Sequence, residues 1–184
     1  MDELLLAQND RGFTAFHIAA GANHIQILQE MWVWAEEEKV NPNQLRKNLL
    51  LIKDKYGNTA WHIAAINGNL EALEILWVWS KEMELNTDEQ LLDQILEGFT
   101  ALHMATLEIN EKILQKLWVW AEECQLNSKE LKKKLLLAKN KQGITAWHLA
   151  AQIGNLMAFE ALWLWAKGTE INPEDMLLNQ DENG

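Results

Sequence analysis

One phrase recurs four times in this chain, and the recurrence limits the fold more than any bulk property does. It reads GFTAFHIAAGANHIQILQEMWVW from Gly12, GNTAWHIAAINGNLEALEILWVW from Gly57, GFTALHMATLEINEKILQKLWVW from Gly98 and GITAWHLAAQIGNLMAFEALWLW from Gly143. The opening glycines stand 45, 41 and 45 residues apart, and Gly184 follows after another 41. The pair of repeats is therefore itself repeated: residues 12–97 align with 98–183 without a gap, at roughly half identity. One supersecondary unit at a fixed period implies a stack, in which each copy covers a face its neighbour cannot bury alone.

Residue chemistry supplies the coarse structure. DKYGNT and NKQGIT are turn sequences whose glycine is free to take positive φ. Thr14, Thr59, Thr100 and Thr145 then stand where an N-cap belongs, with hydroxyls facing orphan helical N–H groups. Ala60 to Ala65 spell a short helix with small side chains, and Asn67-Gly68-Asn69 reverses the chain. Leu70, Leu73, Leu76 and Trp77 recur at helical spacing and mark a second helix. Each unit is expected to be an antiparallel helix pair with a protruding turn.

In register, the glycine, the Thr-x-x-His step, the alanine pair and the apolar second helix resemble the ankyrin repeat across most of the chain. Ala15, Ala60, Ala101 and Ala146 depart from it, standing where a proline is usual. Asn23 and Ile109 replace the turn glycine kept at Gly68 and Gly154. Asn tolerates a left-handed backbone and a β-branched Ile does so poorly, so the third unit should turn differently or carry strain. The resemblance implies an all-α, ankyrin-type solenoid of four repeats, approximately 9–53, 54–94, 95–139 and 140–180. These form a single array over 1–184, with partial flanking repeats at 1–8 and 181–184. It also implies that His17, His62, His103 and His148 bond to backbone and hold the turns of adjacent units. A metal ladder is the competing reading. Equivalent histidines in a stack lie roughly 10 Å apart, however, whereas zinc needs its nitrogens at about 2 Å. His24 falls outside the series and is expected at the surface.

Ankyrin units usually run to about 33 residues, and these are longer. The surplus lies after the first Trp of each WxW pair. The second helix is expected to continue through Ala35 to Lys39, and Asn41-Pro42 to start a short third helix reaching Leu51. Residues two apart on a helix point about 200° apart. Of each pair, then, one indole (Trp32, Trp77, Trp118, Trp163) should fill the core slot against the first helix. The other should lie under the leucines of the third helix, Leu45, Leu49, Leu50 and Leu51, which would make Trp34→Ala strongly destabilising.

Bulk properties exclude several function classes. The formal net charge is -11, which disfavours a nucleic-acid partner because phosphate binding needs a Lys/Arg surface. The run Lys132-Lys133-Lys134 is too short to reverse that. One cysteine, Cys124, allows no intrachain disulfide and favours an intracellular, cytoplasmic setting. It aligns with Glu38 and is expected to be exposed. No stretch approaches the roughly 20 apolar residues of a membrane span. Glu36-Glu37-Glu38 and Glu122-Glu123 have no nucleophile, metal-ligand cluster or phosphate loop beside them, so they read as a solvated face. No enzyme activity, cofactor or metal is expected.

The residues that vary among repeats are where the resemblance places partner contacts, on the concave face and the turn tips. The candidates are Arg11, Phe13, Lys55, Tyr56, Asn58, Ile66, Asn67, Glu97, Phe99, Gln142, Ile144 and Gln152. Phe13, Tyr56, Phe99 and Ile144 put apolar anchors on turns, a residue type that dominates interface energy; the alternative is that they pack on neighbouring turns. A non-enzymatic module that binds a partner protein is the reading these residues favour. The targeting region of a larger host-directed bacterial effector or toxin, or an engineered repeat scaffold, is the alternative. Neither end has an evident polar capping repeat, so end-to-end self-association is a hazard if the ends expose apolar surface.

Overall fold

The computed structural model describes residues 2–124 and 128–171. Packing divides the chain into two compact units, Met1–Thr87 and Asp88–Gly184. Thr87 lies 86 positions after Met1, so the division falls where the sequence duplication starts over. The first unit holds α1 (Asp2–Leu5), α2 (Ala15–Gly21), α3 (Ile25–Glu36), α4 (Pro42–Leu51), α5 (Ala60–Ile66) and α6 (Leu70–Glu82). The second holds α8 (Ala101–Leu107), α9 (Glu111–Glu123), α10 (Ser128–Leu137), α11 (Ala146–Ile153) and α12 (Leu156–Gly168), with α7 (Thr87–Leu92) opening at the boundary. No strand occurs among the described residues. The third helix expected for the fourth repeat, and the flanking segment 181–184, lie outside them.

Each first helix begins on the alanine that replaces the usual proline, one residue after an extended threonine. The cap is a reciprocal box with histidine at its third position. In the first repeat the Thr14 hydroxyl accepts from the His17 backbone N–H, and the Thr14 N–H donates to Nδ1 of His17 (3.2 Å). Two orphan donors of the helix start are satisfied at once. With Nδ1 accepting, the ring proton resides on Nε2, which donates to the Asn58 carbonyl of the next turn at 3.1 Å. His103 does the same to the Ile144 carbonyl at 3.2 Å. Both rings are fully buried. Burial opposes the charged form, and it lowers the pKa of His17 and pulls that of His103 from 6.5 down to about 4.

Within each unit the short helices pack side by side, α2 on α5 and α8 on α11, and each second helix lies against its own first helix. The third helix starts as expected, with Asn41 as N-cap and Pro42 in the first turn. It packs on α3, α5 and α6 and buries Leu45, Leu49 and Leu50, while Leu51 stays exposed. The second helix of the first repeat is shorter than expected. It stops at Glu36 rather than Lys39, where three successive carboxylates meet the negative end of the helix dipole.

The tryptophans depart from expectation. Trp34 is 45% exposed and no leucine layer covers it, whereas Trp79 and Trp120 are buried and Trp165 is half-buried. What shields the second indole of a short repeat is the first indole of the long repeat before it. Trp79 stacks on Trp32 (4.4 Å between centroids, 7° between planes) and Trp165 on Trp118 (4.5 Å, 7°). Trp79 also lies 6.2 Å from Phe16 of α2. From the third helix a cation also reaches an indole. Arg46 lies 4.9 Å over Trp32, and its counterpart Lys132 lies 4.7 Å over Trp118. Glu36 pairs with Arg46, and Glu122 with Lys132 at 2.7 Å. The core slot against the first helix is filled as expected in the short repeats, by Trp77 against Trp61 (5.8 Å) and Trp163 against Trp147 (5.6 Å). Trp163 and Trp118 are only half-buried.

The third repeat turns like the others and carries the strain. Ile109 has φ 53°, beside 55° at Asn23, 69° at Gly68 and 73° at Gly154. Cys124 corrects another expectation. It is 8% exposed, because it ends α9 in an extended conformation instead of continuing outward on the helix.

Three outcomes follow from this packing. Trp79→Ala should cost about 3–5 kcal/mol, and Trp34→Ala about 1 kcal/mol or less, in urea unfolding; equal costs would remove the stacked pair as the seam. Ile109→Asn should stabilise by about 1 kcal/mol by relieving the left-handed β-branched residue, and a loss of stability would contradict the strain. His103 should stay neutral in the folded chain well below pH 6.5. As pH falls, the unfolded chain takes up this proton first. Stability therefore drops between 6.5 and about 4, by roughly 3 kcal/mol from this group, and no further below that. An NMR titration placing the folded midpoint at 6.5 or above would refute this.

Candidate functional site

The protruding turns are built from the inside. Asn9 Oδ1 accepts the backbone N–H groups of Arg11 and Phe13 (2.9 and 3.0 Å). Asp54 Oδ1 accepts those of Tyr56 and Asn58 (both 2.8 Å), and Asn140 Oδ1 those of Gln142 and Ile144 (3.0 and 2.9 Å). A short side chain that bonds its own backbone fixes the turn without help from a neighbour. The third repeat has Ile95 at this position and keeps only the backbone bonds, Ile95 N–H to Phe99 and Gly98 N–H to Ile95.

Neighbouring turns within a unit are joined in register. The Lys55 N–H donates to the Arg11 carbonyl (3.2 Å), and the Lys141 N–H to that of Glu97 (3.0 Å). Gln8 Nε2 bridges the carbonyls of Gly12 and Lys53 (2.7 and 2.9 Å), as Gln94 bridges those of Gly98 and Lys139. The approach is close enough to require glycine. A Cβ on Gly12, at φ 82°, would come within 2.7 Å of the Lys55 nitrogen, and one on Gly98 within 2.8 Å of that of Lys141. At the far end of the first helices, Asn69 Nδ2 donates to the carbonyls of Ala20 and Gly21, and Asn155 Nδ2 to that of Thr106.

This frame sorts the twelve candidates. Arg11, Lys55, Tyr56, Asn67, Glu97, Gln142 and Gln152 are exposed, Tyr56 by 57%. Phe13, Ile66, Phe99 and Ile144 are half-buried. Phe13 lies edge-on to His17 (6.1 Å) and Phe99 to His103 (5.7 Å). These two aromatics therefore brace the histidines they adjoin instead of standing free. Asn58 is buried and donates from Nδ2 to Asp54 Oδ2 at 2.8 Å, so it belongs to the turn and not to its surface. Ile18, 56% exposed on α2, adds an apolar residue beside the tips that the motif reading passed over. Asn9, Asp54, Asn140, Gln8 and Gln94 were also missed as organisers. The Asx residue three before Gly12, Gly57 and Gly143 was the available signal.

The tips hold no constellation of nucleophile, base and oriented partner. The histidines of the series spend Nδ1 on their own cap threonine, and His17 and His103 spend Nε2 on the neighbouring turn. What the surface offers is fixed backbone with varied side chains on it. Among the described residues no helix is long and apolar enough to cross a membrane.

A family model described as ankyrin repeats (three copies) matches residues 2–89 and again 41–130. No curated protein matches the chain. Beyond residue 130 the 86-residue duplication carries the same motif positions onward through Thr145, His148 and Trp163. By its repeats, its caps and this match over more than half its length, the chain belongs to the ankyrin-repeat family.

Proposed function

We propose that the chain binds a partner protein through its turn tips and the exposed side of its first helices, with no catalytic step of its own. Ankyrin repeats are in general protein-interaction modules, and that sets the class of function. The observation that carries the finer reading is the contrast between frame and surface in the turns. Backbone bonds, joined by Asx bonds in three of the four turns, fix the tips, while Arg11, Lys55, Tyr56, Glu97 and Gln142 keep their side chains in solvent. A surface ordered before binding loses little further entropy when a partner arrives. Tyr56 adds a rigid amphipathic anchor of the kind that concentrates interface energy.

The exposed residues that vary among repeats make up this surface, Asn67 among them although its amide also donates to the Ile63 carbonyl at the end of α5. Asn67 and Gln152 extend it along the ends of α5 and α11. The half-buried Phe13 and Phe99 support it from beneath.

Affinity capture with the wild-type chain should recover at least one protein that is lost with Tyr56→Ser combined with Gln142→Ala. The same protein should be retained with Trp34→Ser, which changes an exposed indole away from the tips. Equal recovery by all three proteins would reject the tips as the binding surface.

A further inference from the structure

We propose that copies of this chain associate head to tail, the outer face of the fourth repeat in one copy taking the outer face of the first repeat in the next. The contact is separate from the turn tips and independent of what binds there. Each unit holds one seam between repeats, and the two seams are built alike. The first indole of the earlier repeat stacks on the second indole of the later one, Trp32 on Trp79 and Trp118 on Trp165. The histidine of the earlier repeat donates from Nε2 to a carbonyl in the later repeat's turn, His17 to Asn58 and His103 to Ile144. A seam of this kind needs a first indole and a histidine on one side, and a second indole and a turn carbonyl on the other.

The first repeat carries one half of such a seam uncovered. Trp34 is its second indole, and within this chain no earlier repeat stacks on it. Ile27 and Trp34 are 49% and 45% exposed. Their counterparts in the second repeat, Ala72 and Trp79, are buried at the seam with the first, where the Ala72 N–H donates to Asn23 Oδ1 (3.2 Å) and Trp79 meets Trp32. The Phe13 carbonyl accepts the Asn9 N–H (3.0 Å), just as the Asn58 carbonyl accepts that of Asp54 (2.8 Å), but it has no histidine.

The fourth repeat carries the other half. Its first indole, Trp163, is half-buried and flanks, with Trp147 and Phe159, an open apolar hollow of about 280 Å³. In the first repeat the residues matching Trp147 and Trp163 are Phe16 and Trp32, and the indole lying against both is Trp79 of the next repeat. The His148 ring is held by Thr145 through Nδ1, and its Nε2 has no acceptor among the described residues. Ala151 is exposed, although its counterparts Ala20 and Ala65 are fully buried. Lys167 lies 5.2 Å over Trp163, but Lys81 lies over Trp77 in the same way (6.0 Å) and Trp77 is buried, so the cation leaves room for a cover. A second copy supplies what each face lacks. Trp34 enters the hollow beside Trp163, and the Phe13 carbonyl accepts from His148. The two faces differ, so the contact is heterologous, and every joined pair still presents one free face of each kind.

Sedimentation velocity of the full chain tests this. The mean mass should rise with protein concentration over roughly 1–100 µM by mass action. It should rise further with added salt, which screens the repulsion between copies that each carry a formal charge of -11. Trp34→Ser on one face and Ala151→Glu on the other should each leave the chain monomeric, and Ile27→Glu should repeat the effect of Trp34→Ser. All three positions are exposed, so dilute thermal melts should match wild type. Mixing the Trp34→Ser and Ala151→Glu chains should give a one-to-one dimer and nothing larger, because each retains the face the other has lost. Tyr56→Ser should associate like wild type. A wild-type chain that stays monomeric throughout, or association that survives the substitutions, would sink the proposal. So would a variant blocked on one face that still dimerises with itself, since that contact would join two like faces.

Discussion

The hydrogen bond from a buried histidine to the next turn is the contact on which the rest of each unit depends. A pair of helices seven and about twelve residues long cannot bury itself, so each repeat must be tied to its neighbour before its core has a second wall. His17 and His103 make that tie from positions already fixed by the threonine caps of their own helices. The same ring thus ends one orphan-donor problem and satisfies a carbonyl across the seam. Burial keeps the ring neutral, and only a neutral ring can accept at Nδ1 while it donates from Nε2.

Other ties reinforce the seam at different heights. At the tips, Gln8 and Gln94 and the bonded backbone of adjacent turns close it. At the far end of the first helices Asn69 and Asn155 reach back to the preceding repeat. On the side of the second helices the indole stacks, Trp32 on Trp79 and Trp118 on Trp165, do the same with apolar surface, each with a cation from the third helix over one ring. Ties of this kind leave the tips rigid without using their side chains. That separation lets a surface vary in charge, as Arg11 and Lys55 differ from Glu97 and Lys141, while the frame beneath stays the same.

The frame was legible because its requirements are local. A Thr followed three residues later by His, a glycine forced to positive φ, and leucines at helical spacing each state their role without reference to a distant residue. The indoles were not legible to the same degree. Spacing showed that Trp32 and Trp34 must point apart, but the cover for a second indole depends on which repeat's surface reaches it. In the short repeats another indole contributes it, and Trp34 is left uncovered. The tip residues divided for a different reason, contacts only four residues away that the motif does not display. Asn58 looks like a free polar residue until Asp54, four positions earlier, takes its amide and backbone N–H. Phe13 and Phe99 look like exposed anchors until the histidine rings they brace are in place.

Sequence alone determined the repeat period, the duplication, the helix starts and the all-α family, because caps, turns and periodicity act within a few residues of each other. Tertiary structure alone decided which tryptophan faces which, that Cys124 turns inward, that Ile109 accepts a strained backbone, and that the Arg11 and Lys55 backbones are bonded to each other. Each of these is set by contact between residues more than forty apart, or by a helix end whose course the packing dictates. Local chemistry carries no record of either.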